Sequence, residues 1–157
     1  MTSIYNNPAN IEKGQGYAGE TEETYANDRL DKGLKPFAVF DSPQMGIRAL
    51  MRDLQTKVKR HGGNIDKIMS QFAPPFENDT ATYADIIKSQ IGKDICTVDD
   101  IPEIAKAIIK VESPKLKDYY LQEDVFNEAI TLSKHNLPSG YDLQKARGFM
   151  NETEGSN

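Results

Sequence analysis

Residues 101–114, IPEIAKAIIKVESP, decide how this chain is read. Apolar residues at 101, 104, 105, 108 and 111 have the spacing of a helix with one buried face. Glu112 continues the line 101, 105, 108, 112, which puts its carboxylate toward the interior or the lip of a cleft. Ser113-Pro114 ends the helix, because the residue before a proline avoids the α region. A helix C-terminus carries partial negative charge, and burial acts in the same sense, so both disfavour an ionised carboxylate there. A neutral carboxylic acid is what a general acid needs. Glu112 is therefore the candidate catalytic residue, set against the plainer alternative of a solvated glutamate near a helix end.

The bulk properties narrow the field around that stretch. A length of 157 residues suits one domain. A net charge of −5 argues against a nucleic-acid partner, and the KVKR run at 57–60 reads as one solvated helix face. The single cysteine, Cys96, excludes an intrachain disulfide and a cysteine-based zinc cluster, and reads as a small buried residue. No apolar run approaches membrane-spanning length, and the polar opening MTSIYNNPAN carries no secretory signal, so no membrane insertion is expected. There is no internal repeat, Walker loop, HExxH or dinucleotide-type glycine motif, and no metal or organic cofactor is implied.

Working outward, the Asn-rich IYNNPANI at 4–11 reads as extended chain and turn. Residues 14–35 are first glycine-rich and then acidic, with Glu20, Glu22 and Glu23, and fit an irregular hairpin or a mobile loop over a cleft. FAVF at 37–40 is a short β-like run. Asp41-Ser42-Pro43 starts a helix, with Ser42 at the N-cap and Pro43 at N1; Ile47, Leu50, Met51, Leu54 and Val58 form its buried face, and Gly62-Gly63 end it. His61 reads as a surface residue at that helix end. Asn64 caps a short helix over 65–72, a helix over 80–91 buries Tyr83, Ile86, Ile87 and Ile91, and one over 122–135 buries Val125, Phe126, Ala129 and Ile130. Residues 137–157 lose periodicity and predict a partly ordered C-terminal extension to a domain spanning 1–136. The expected fold class is mainly α (α+β): about five helices and one small irregular β region near the N-terminus.

Five segments in this order resemble a family of small phage proteins with a lysozyme-like fold, described as virion structural proteins or endolysins. They are NNPANI (6–11), GQGYAG (14–19), FAVFDSPQMGIRAL (37–50), APPFENDTATY (73–83) and AIIKVE (107–112), covering roughly residues 4–113. The family pattern has Gly where Ala9 stands, and Glu-Asn-Gly where this chain has Glu112-Ser113-Pro114. In related muramidases the helix ending in the catalytic Glu precedes the Asn-rich turn, whereas here it follows. The chain thus looks like a circularly permuted lysozyme-like domain, an arrangement that neighbouring termini tolerate. The geometric expectation is that Glu112 lies across a cleft from the region 6–25.

The resemblance implies an enzyme acting on bacterial peptidoglycan, cutting the β-1,4 bond between N-acetylmuramic acid and N-acetylglucosamine as a lysozyme or a lytic transglycosylase. Glu112 would be the acid, and Glu20 the favoured second carboxylate among the loop glutamates. Tyr17, Tyr25 and Tyr83 would offer faces to sugar, Asn10 and Asn78 amides, and Glu23 a further polar contact. Expected partners beyond the wall are phage particle proteins or a holin-type pore, with the chain a monomer. Its expected place is the virion, or the host cytoplasm with release to the cell wall, in a role in host cell lysis. The alternatives are a non-catalytic virion structural or glycan-binding protein, and a helical adaptor acting through its C-terminal tail.

Overall fold

The computed structural model describes residues 4–73 and 79–155. Two strands, β1 (Glu20–Tyr25) and β2 (Phe37–Phe40), are followed by helices α1 (Pro43–His61), α2 (Ile65–Phe72), α3 (Thr80–Ile91), α4 (Ile101–Glu112), α5 (Lys117–Tyr120), α6 (Glu123–Ser133) and α7 (Leu143–Gly155). Short 3₁₀ helices occupy Asn27–Lys32 and Val98–Asp100. The molecule is mainly helical, with one small antiparallel sheet near the N-terminus.

The helix limits follow from their terminal residues. Ser42 accepts a hydrogen bond from the Met45 amide at 3.3 Å, Pro43 opens α1, and Gly62 closes it in the left-handed region at φ 59°. The Asn64 and Asp79 side chains cap α2 and α3 through the amides of Lys67 and Thr82, at 3.0 and 3.2 Å. α4 begins with Pro102 in its first turn and ends at Ser113-Pro114, as its sequence requires.

α1 is the central helix. Residues 45–51 are all buried, so its first half is enclosed on every side rather than along one stripe. It packs most extensively on α6 and also against α2, α4 and α5. From α1, the buried Arg48 donates to the carbonyls of Leu132 (3.1 Å) and His135 (2.7 Å), while Arg52 and Gln55 donate to Ser133 O at 3.3 and 3.1 Å. These donors reach carbonyls at the α6 C-terminus and just past it, where the helix ladder runs out of amide donors. Two residues expected inward lie outward: Ile86 is 42 % exposed and Val111 38 %. On α3 the buried line runs through Tyr83, Ala84 and Ile87, and on α4 through Ala105, Ile108 and Ile109, which turns both residues past the edge of the packed face.

β1 and β2 pair in the register Glu20↔Phe40, Thr24↔Ala38 and Tyr25↔Phe37, with an irregularity between Glu20 and Thr24. The Asn-rich segment lies on the other side of β2: Ala38 N donates to Ile11 O and Phe40 N to Tyr5 O. Asn7, buried, donates to Ile11 O and Ala38 O and accepts from Ile11 N, all at 2.8–2.9 Å, so its amide closes the turn. This turn rests on the first turn of α1, where only glycine fits: a Cβ on Gly46 would stand 1.7 Å from the Asn6 carbonyl oxygen.

Where the sequence predicts an aperiodic extension, a helix forms. α7 docks through buried Ala146, through the Leu143 amide on Asp41 Oδ2 (2.7 Å), and through Arg147, which makes two bonds to Glu128 at 2.7 and 2.8 Å. Leu143 and Met150 pack partly buried against the same core, so 143, 146 and 150 do follow a helical spacing, thinly marked among polar neighbours. No helix among the described residues is long and apolar enough to cross a membrane.

Candidate active site

Between the β region and the helices lies a cleft of about 900 Å³. Its floor and walls come from five parts of the chain: the turn at 9–12 with Phe37 of β2, the 3₁₀ helix with Arg29 and Lys32, α1 with Asp53 and Lys57, the end of α2, and Glu112 at the last residue of α4.

Glu112 is reached by two donors from distant positions. Asn10 Nδ2 donates to Oε2 at 3.2 Å across 102 residues of sequence, and Tyr83 Oη donates to Oε1 at 3.0 Å. Asn10 is itself held by Tyr25, whose hydroxyl donates to Oδ1 at 2.7 Å. The result is a continuous line, Tyr25 to Asn10 to Glu112, with Tyr83 on the opposite oxygen. Asn10 adopts the left-handed region (φ 54°), which asparagine tolerates better than most residues and which turns its amide across the cleft. Below it, Ser113 Oγ donates to Pro8 O at 2.8 Å and Tyr119 Oη to Asn6 Oδ1 at 3.0 Å, so the end of α4 and α5 fasten the turn from the helical side. Burial raises the Tyr83 hydroxyl well above the usual phenol range, and the charge and hydrogen bond of Glu112 act in the same direction. Tyr25 is raised by burial, then by Tyr120 and Glu112. Both phenols are therefore neutral donors at neutral pH.

Among the described residues, the two other carboxylates that line the cleft are held differently. Glu12 is paired with Arg29 at 3.0 Å, and the Arg29 guanidinium lies 4.2 Å from the Phe37 ring centroid. Asp53 receives Lys57 Nζ on both oxygens at 2.6 and 2.7 Å, and Lys57 lies 5.8 Å from the Phe72 centroid. Each wall thus carries a cation against an aromatic ring, with a carboxylate on the cation.

The residues expected from the sequence separate into two sets. Glu112, Asn10, Tyr25 and Tyr83 are linked by hydrogen bonds. Tyr83 is buried and offers no open face to a ligand; it acts through its hydroxyl. Tyr25 stacks on Tyr5 with ring centroids 4.1 Å apart, which occupies one of its faces. Glu20 does not line the cleft: its Oε2 accepts from the Gly14 amide at 3.1 Å and faces Lys13 at 3.4 Å, and Oε1 is buried with no partner among the described residues. Tyr17 is turned to Asp53 (3.4 Å), and Glu23 is exposed on β1 away from the cleft. Asn78 lies outside the described residues. The cleft residues that sequence reading passes over are Glu12, Arg29, Asp53 and Lys57. Lys57 corrects the reading of 57–60 as one solvated face: its side chain is 12 % exposed. An Asp and a Lys four apart look the same in sequence whether they face solvent or a cleft, so no local signal could have found them.

No family model matches the chain. Protein P5 of Pseudoalteromonas phage PM2 is 35 % identical to it over 89 residues, 55 % of this chain and 52 % of that protein. The chain spans about half the length of the curated relative it matches, and in that shared half it is similar to a bacteriophage protein.

Proposed function

We propose that this chain is a phage peptidoglycan-cleaving glycosidase, a lysozyme-like domain with its elements in permuted order and Glu112 as the general acid. The observation that carries the reading is the pair of bonds from Asn10 and Tyr83 to the two oxygens of Glu112 at the end of α4, facing the cleft. Glu12 and Asp53 are each paired with a cation, while among the described residues Glu112 is met by the neutral donors Asn10 and Tyr83. A group that must pass a proton out and take one back is better served by neutral partners, because a paired cation would hold it ionised. The phage relative agrees in context.

In the proposed reaction, Glu112 gives its proton to the glycosidic oxygen as positive charge grows at the anomeric carbon. Water then completes a hydrolysis, or the muramic 6-hydroxyl closes an anhydro ring, and the Glu112 carboxylate recovers a proton. Mass spectrometry of soluble products from purified peptidoglycan separates these outcomes. Reducing muramic ends made by wild type mark a hydrolase and anhydro-muramic ends a transglycosylase, and Glu112→Gln should lose about 10²–10⁴-fold of either. If wild type releases nothing across pH and salt, the enzyme reading fails and the non-catalytic virion or glycan-binding alternative takes its place.

A further inference from the structure

Asn10 meets Glu112 with one end of its amide, and the two ends have opposite chemistry: the nitrogen only donates and the oxygen only accepts. Which end faces the carboxyl is set on the far side of the residue. There the Tyr25 hydroxyl donates to Asn10 Oδ1 at 2.7 Å, which leaves Nδ2 to donate to Glu112 Oε2 at 3.2 Å. With the amide reversed, Nδ2 would point at the Tyr25 oxygen, and the hydroxyl proton would need another acceptor. The one in reach is Asn7 O, at 3.4 Å, and it already receives the Asn10 backbone N–H at 3.3 Å. The orientation seen thus keeps a short bond that its reverse would replace with a long, shared one. The ring that carries the hydroxyl is fixed by stacking on Tyr5 at 4.1 Å and by the tilted Phe37 ring at 5.4 Å.

We propose that Tyr25 is a positioning residue: acting through Asn10, it keeps a donor on the protein side of Glu112 and so steers the acid's proton into the cleft. This rests on the glycosidase reading. With Asn10 Nδ2 on Oε2 and the Tyr83 hydroxyl on Oε1, both protein-side partners are donors, so a proton on the carboxyl points toward the ligand. With the amide reversed, Oδ1 would accept that proton, hold it away from the glycosidic oxygen and favour the protonated acid. The charged groups around Glu112 stand on other parts of the cleft: Glu12 with Arg29 and Asp53 with Lys57. The 3₁₀ helix adds Lys32, Asp28 and Asp31, all exposed, and Lys110 is exposed on α4 itself. Tyr5 and Tyr120 are neighbours of Tyr25 and are uncharged phenols at neutral pH. Tyr25→Phe alters none of these charges and keeps the ring, so its effect reads the amide.

The test is Tyr25→Phe, read in two ways. The first is the pH dependence of kcat on purified peptidoglycan, followed by release of soluble muramic ends. The rate should fall about tenfold. The alkaline limb, where the acid loses its proton, should move up by about half to one pH unit. The second is the carbon NMR titration of the Glu112 carboxyl, which needs no turnover and should move in the same direction by the same amount. Tyr119→Phe removes a like bond, to Asn6 on the same turn, and should shift neither midpoint. A lower kcat with both midpoints where wild type has them marks a merely structural loss; it overturns the proposal and leaves the glycosidase reading standing. A wild type that releases no product removes the glycosidase reading, and the catalytic role of Tyr25 with it. Should Tyr25→Phe not fold, the wild type decides: the two side-chain amide protons of Asn10 should move as Glu112 titrates, the one on the carboxylate more than its twin. An Asn10 amide that ignores that titration overturns the proposal.

Discussion

At the scale of single residues, the proposed chemistry turns on how one carboxylate is oriented. Tyr83 does this from inside the protein: its ring belongs to the core and only its hydroxyl reaches Glu112. Tyr83→Phe keeps the ring and removes one hydrogen bond to a carboxylate, an interaction worth about 1.5–3 kcal/mol. The expected result is a fall of about ten- to hundredfold in kcat with KM nearly unchanged. The melting temperature should fall by several degrees, because the same bond contributes to folding; a variant as active as wild type would show that Tyr83 does not set the geometry of the proposed acid. Asn10→Ala should act in the same sense and also release the Tyr25 hydroxyl. Because both residues hold the same group, the double variant should lose less than the product of the single losses, which initial rates on one glycan substrate will show.

At the scale of elements, two junctions carry the architecture. The first is the contact of the Asn-rich turn with α1. Gly46→Ala places a methyl where the Asn6 carbonyl already lies, and neither backbone can retreat within its helix or turn. A loss of about 1–3 kcal/mol in urea unfolding is expected, together with loss of activity, because the turn also carries Asn10. The second junction is α7 on α6. Hydrogen bonding from Arg147, and its charge, hold the Glu128 carboxyl below the usual glutamate range. A carboxyl whose folded value is depressed contributes stability above its unfolded value and loses it as pH falls through the folded one. α7 amides should therefore exchange faster as pH drops below the ordinary glutamate range, relative to intrinsic rates and ahead of amides in α1. Glu128→Gln should bring this faster exchange to neutral pH, and unchanged protection would sink the assignment.

For the whole molecule, alkaline behaviour follows from where the phenols lie. Tyr17, Tyr25 and Tyr83 are each raised first by burial, with Asp53 or Glu112 adding to it. A group raised in the folded state contributes stability that is present below its unfolded value and lost as pH rises toward the folded one. Above about pH 10, the ordinary phenol value, unfolding should be driven by these residues. Absorbance at 295 nm should show exposed tyrosines titrating first, then a steep step coincident with loss of circular dichroism. A smooth titration of all seven tyrosines with the fold intact would contradict the burial described here.

What the sequence determined by itself is the set of local elements and the placing of Glu112 at a helix end. Ser42-Pro43, Asn64, Asp79, Gly62, Gly92 and Ser113-Pro114 mark helix limits through backbone sterics and capping, which act within a few residues and so can be read along the chain. Glu112 was legible because it ends an amphipathic helix. The tertiary structure alone decided what meets it. Glu20 was the nearest reasonable second carboxylate on paper, yet Lys13 and the Gly14 amide claim it, while Asp53 and Glu12 line the cleft. Asn10 and Glu112 come together only because Gly46 lets the turn settle on α1 and Ser113 fastens it to the end of α4. α7 is likewise fastened by hydrogen bonds to Asp41 and Glu128, distant partners that the sequence does not mark. Caps and turns obey short-range rules, whereas a cleft is made by side chains that meet across a hundred residues, and their meeting is set by packing.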